Sequence, residues 1–70
     1  MSDLKDFQMM LRQFGFKETH NGSRIEEEQY CVFDGPEGID VDLCDSEGNL
    51  SCFSFYKDGS YGGKKLASNV

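Results

Sequence analysis

The chain has no tryptophan, one proline (Pro36), one histidine (His20) and three cysteines that form no CxxC pair. Each scarcity removes a class of chemistry. His20 sits in the stretch Thr-His-Asn-Gly-Ser, and no Ser or Cys occupies a recognisable nucleophile turn, so nucleophilic catalysis has no constellation to rest on. Cys31, Cys44 and Cys52 are an odd set, which fits neither a secreted disulfide framework nor a thioredoxin-like motif. They read as reduced, small apolar fillers on strands. Together with His20 they would supply four zinc donors, but structural zinc sites draw ligands as closely spaced pairs from tight turns, and none occurs here. No metal and no cofactor is expected. No internal repeat, glycine-rich phosphate loop or heptad is present either.

Long apolar runs are also missing. No stretch approaches the roughly 20 apolar residues that cross a bilayer, and the opening MSDLKDFQMMLRQF lacks the basic and apolar regions of a secretory signal. A soluble, cytoplasmic protein without a membrane role is expected.

The most informative absence is one of charge. From Glu26 to Glu47 there are nine acidic residues and no Lys or Arg, while the net charge of the whole chain is −6. Basic residues lie on either side, as Lys5, Arg12, Lys17 and Arg24, then Lys57, Lys64 and Lys65. Such a block repels phosphates and draws in basic surfaces, so direct nucleic acid binding is not expected and a basic protein partner is. The plainer reading is that the carboxylates keep a small sheet soluble and guard its edges.

What is present suffices for a fold. The chain of 70 residues is 37% apolar and 13% aromatic, richer than disordered sequences, and short enough that one compact core is the most it can build. Leu4, Phe7, Leu11 and Phe14 recur at helical spacing behind Ser2, a capping residue, with Asp3 and Asp6 at the positive end of the helix dipole. The spacing predicts a helix to about Phe14, ended by Gly15, with Phe16 folding back on Leu11. Asn21-Gly22-Ser23 then marks a turn that could close a hairpin with 16–19 as its first arm. Beyond it IEEEQYCVF, GIDVDLC and LSCFSFY read as strands separated by DGPEG and DSEGN. The expected fold is α+β, with one N-terminal amphipathic helix packed on one face of a three- to four-stranded antiparallel meander. Residues 1–61 form the single compact domain, and 62–70 read as a flexible basic tail; the alternatives are a short final strand through Ser60 and Tyr61, or Lys64 and Lys65 laid against the acidic centre, masking it until a partner displaces them.

Parity then selects a surface. With Phe33 set opposite Ile39, one face carries Cys31, Phe33, Ile39, Val41, Leu43, Phe53 and Phe55 and seats the helix together with Phe14 and Phe16. The other carries Glu28, Tyr30, Val32, Asp40, Asp42, Cys44, Cys52, Ser54 and Tyr56. The candidate partner-binding residues are Glu28, Tyr30, Asp40, Asp42 and Tyr56, in which tyrosines supply area and carboxylates supply orientation. Asp40 and Asp42 could resemble an acid/base pair, but a lone helix on a sheet offers no walls for a cleft that would perturb one pKa. The chain is therefore not expected to be an enzyme. The 45–49 turn offers oxygens for weak calcium binding without following D-x-D-x-D-G.

In size, acidity and lack of catalytic signatures, the chain resembles the small inhibitors and adaptors made by phages and mobile elements. That resemblance is one of class and assigns no residues. It implies a non-catalytic protein-binding module that engages a basic, nucleic-acid-binding partner; the alternative is a self-associating module that forms a homo-oligomer through the open face or a sheet edge.

Overall fold

Ser2 remains extended, and its Oγ accepts the Lys5 amide at 3.1 Å, which caps helix α1 (Asp3–Gln13) in a computed structural model that describes residues 2–20, 22 and 24–66, the last three by their backbone. The helix ends as its sequence dictates. Gly15 takes φ +94°, its amide bonds the Arg12 carbonyl at 3.0 Å, and the Phe16 amide bonds the Leu11 carbonyl at 2.9 Å. This is the double bond of a glycine-terminated helix, and it returns Phe16 to the core beside Leu11. Phe14, as the C-cap residue, is left 68% exposed rather than packed on the sheet.

Five strands follow: β1 (Lys17–Glu18), β2 (Gln29–Asp34), β3 (Ile39–Cys44), β4 (Leu50–Phe55) and β5 (Tyr61–Leu66), ordered β1-β2-β3-β4-β5 in one sheet. The last four are the antiparallel meander, and β1 adds a short parallel pair to β2, so no hairpin joins them. Glu28 makes the entry into β2. With φ 61° it donates its amide to the Cys44 carbonyl at 2.8 Å and accepts the Lys17 amide at 3.0 Å, tying β1 and β3 to the start of the strand between them. At the other border, 62–66 belong to β5 and not to a tail, which is the final-strand alternative; 67–70 lie outside the described residues.

The register of β2 differs from the expected one by a single residue. Asp34, not Phe33, stands opposite Ile39, because the connection has four residues, 35–38, closed by the Gly35 amide on the Gly38 carbonyl at 2.8 Å. A one-residue slip turns every side chain of a strand over. Tyr30 and Val32 therefore face the helix, and Cys31 and Phe33 face away. The β3–β4 register pairs odd with odd as expected, Leu43 with Ser51 and Ile39 with Phe55.

The core lies between helix and sheet. Leu11, Tyr30, Ile39, Val41, Leu43 and Phe55 are buried, with Leu4, Phe7, Phe16, Val32 and Phe53 packed around them. Phe7 lies 4.8 Å from Phe53 and 5.6 Å from Phe55, both tilted, at distances where ring pairs attract beyond simple area burial. The helix is also bonded to the far end of the chain. Its Leu4 amide donates to the Gly59 carbonyl and the Asp3 carboxylate accepts the Tyr61 amide, each at 2.9 Å, so the β4–β5 turn satisfies groups that a helix N-terminus leaves open.

Candidate functional site

The face of the sheet turned away from the helix follows from these registers. Two rows cross it, Phe33–Asp40–Ser54–Gly63 and Cys31–Asp42–Cys52–Lys65. The first is the more open. Phe33 is 49% exposed and Tyr56, just past the end of β4, is 60% exposed. With Gly35, Pro36, Glu37, Gly38, Asp40, Ser54 and Gly62 they line a groove of about 340 Å³ at the end of the sheet where the 35–38 turn meets β4. Glycine leaves room for the Phe33 ring on one side of the groove and for the Ser54 carbonyl on the other. A Cβ on Gly35 would come within 2.9 Å of Phe33 Cε2, and one on Gly62 would lie 3.3 Å from the Ser54 carbonyl oxygen and 3.6 Å from Tyr56 Cε2. At the base of the groove the Ser54 hydroxyl donates to Asp40 Oδ1 at 2.9 Å, and Asp40 Oδ2 takes no bond from any described residue.

Of the five residues singled out from the sequence, Asp40, Asp42 and Tyr56 share this face and two do not. Tyr30 is 0% exposed on the helix side, where its hydroxyl accepts from Arg12 Nε at 3.1 Å and donates to Glu18 Oε1 at 3.5 Å. It is a core residue with a polar tip. Glu28 is exposed but precedes β2, at the opposite end of the sheet from the groove. The residues that sequence reasoning missed are Phe33, assigned to the other face, and the shaping glycines Gly35 and Gly62. The stretch Tyr30-Cys31-Val32-Phe33 is apolar throughout, so its alternation cannot say which pair points inward; the turn length decides.

The remaining polar groups serve the fold. Asp45 accepts the Glu47 and Asn49 amides on Oδ1, each at 2.9 Å, and the Asn49 side-chain amide on Oδ2 at 3.3 Å. The Asn49 amide, aided by that of Glu47, holds this carboxyl below its ordinary range, and both oxygens are occupied in closing the β3–β4 turn rather than offered to calcium. Cys31 and Cys44 are buried, and burial, reinforced by Asp42 beside the first and Asp45 beside the second, pushes both thiols up. They stay protonated at neutral pH and are poor nucleophiles. Among the described residues no three His, Cys, Asp or Glu side chains are grouped to hold a metal, and no helix is long and apolar enough to cross a membrane. Comparison with family models, curated proteins and solved structures finds no match to the chain.

Proposed function

We propose that the protein is a non-catalytic binding module whose open sheet face engages a basic surface on another protein. One observation carries this reading: exposed Phe33 and Tyr56 flank Glu37 and Asp40 at the end of the face where β2, β3 and β4 place no Lys, Arg or His, while the single basic register position, Lys65 of β5, falls in the neighbouring row with Asp42 and Cys52. Exposed rings supply contact area that binding would desolvate, and the carboxylates beside them supply attraction and orientation towards a basic partner. A surface that normally holds nucleic acid phosphates has the complementary field. Engaging it makes the protein an inhibitor or adaptor of a nucleic-acid-binding protein, and an odd set of three cysteines without a CxxC pair suits the reducing cytoplasm. Replacing Asp40 and Asp42 by Lys is expected to abolish capture of the partner while the circular dichroism spectrum stays that of the wild type; retained capture removes this face from consideration.

Self-association is the second reading, and the position of β5 favours it. This strand ends the sheet, and beside it Phe7, Met10, Phe53, Phe55 and Tyr61 line an apolar cleft rimmed by Asp3 and Asp6. An uncovered edge next to apolar surface is a template for pairing with a second copy. Sedimentation at high micromolar concentration separates the readings, since a strict monomer there rules the second one out.

A further inference from the structure

The groove has a size, a lining and a charge that together define its occupant. It is an open groove of about 340 Å³, with room for one long side chain laid between its rings. A single side chain fits it. Its walls are the rings of Phe33 and Tyr56, and its acids are Asp40 and Glu37, with no cation among the described lining residues. Aromatic faces beside carboxylates attract a cation twice, through the ring quadrupole and through charge-assisted hydrogen bonds. Of the two long cations, arginine suits these walls better, because its guanidinium is planar, weakly hydrated, stacks on rings and meets a carboxylate with two donors. The site is also built rather than incidental. A side chain at Gly35 would press on the Phe33 ring and one at Gly62 on the Ser54 carbonyl, and the Ser54 hydroxyl holds Asp40 through Oδ1.

We infer that the groove between Phe33 and Tyr56 seats one arginine side chain of the basic partner, its guanidinium on Asp40 and Glu37. This rests on the reading of the open face given above and adds to it a specific contact.

The test is a titration of the isotope-labelled full chain with the capped tripeptide Gly-Arg-Gly, followed by amide shifts, beside the same peptide with lysine or neutral citrulline in place of arginine. Shifts are expected at Phe33, Glu37, Asp40, Ser54, Tyr56 and Gly62, with affinity for the arginine peptide at least fivefold above lysine and tenfold above citrulline. Asp40→Asn and the Phe33→Ala/Tyr56→Ala pair should each weaken it at least fivefold. So should Gly35→Ala, which removes no ring and no charge and only displaces the Phe33 ring. Equal responses to the three peptides, or shifts spread over 26–28 and 45–47 instead, overturn the inference. Capture of the partner distinguishes its failure from that of the wider reading. If Asp40→Lys/Asp42→Lys loses the partner and Phe33→Ala/Tyr56→Ala keeps it, the arginine seat is wrong and the face stands; if both keep it, the face falls as well.

Discussion

Tyr30 joins the core to the protein's sparse polar framework. Its ring is buried against the helix, and its hydroxyl reaches the rim, where Arg12 and Glu18 meet it and approach each other at 3.8 Å. That ion pair has both partners about half exposed and contributes little by itself. The hydroxyl is worth more, because it is the polar end of a buried group. Tyr30→Phe is expected to cost about 1 kcal/mol in urea unfolding, and Tyr30→Ala about 3–5 kcal/mol, with partner capture by Tyr30→Phe unchanged. Loss of capture with an intact fold would return Tyr30 to the binding surface. Two turn carboxylates give a second test at this scale. Asp45, held down chiefly by the Asn49 amide, and Asp58, held down by the Ser60 hydroxyl and then its amide, both have a lowered pKa in the folded chain. Their stabilisation is complete above the unfolded carboxylate value of about 3.9 and is lost as pH falls through the lower folded values. The urea midpoint should therefore decline on acidification below about pH 4, and the Asp45→Asn/Asp58→Asn variant should decline less steeply. Equal slopes would remove both groups from the acid response.

Among the elements, the helix and the β4–β5 turn act as one unit. Gly59 has φ +93° and Gly48, in the β3–β4 turn, has φ +90°, so alanine meets the same backbone strain at both. Only Gly59 faces an obstacle: its added Cβ would lie 2.6 Å from Ser2 Cβ, whereas nothing lies within 4 Å at Gly48. Gly48→Ala is expected to cost about 1 kcal/mol and Gly59→Ala clearly more, with the excess reporting the helix cap docked on the turn. Similar losses at the two sites would mean that the cap is not held there. How far each element can be read from the sequence depends on how many independent signals define it. The helix had a capping serine, a periodic stripe and a terminal glycine that agree, and it begins and ends where they say. In β3 the alternation of Ile39, Val41 and Leu43 with Asp40 and Asp42 allows only one inward face. No such contrast exists in β2, so a turn one residue shorter inverted it and moved Tyr30 into the core and Phe33 out of it. The two-residue β1 and the Gly-Gly-Lys-Lys stretch of β5 carry no apolar pattern, and backbone pairing places them in the sheet. The groove was half legible for the same reason: Asp40 and Tyr56 follow from parity, whereas Phe33 and its glycines depend on the turn.

The described residues form two layers, with extents of 30 × 30 × 19 Å, and among them one helix covers one side of the sheet. Acidic residues concentrated in the middle of the chain reach the side turned away from the helix through β3 and the 35–38 turn. A net charge of −6 alone would attract any cation diffusely, with a strength that salt screens. A specific interface depends instead on where the charge sits. The most direct measurement compares capture of the partner by two variants that change net charge equally, Asp40→Lys/Asp42→Lys on the open face and Glu26→Lys/Glu27→Lys in the loop before β2, each checked for folding by circular dichroism. Loss of capture in the first with retention in the second is the expected result. Equal losses, or none in either, would contradict a binding site on the open face and leave the carboxylates as a diffuse charge that keeps the sheet in solution.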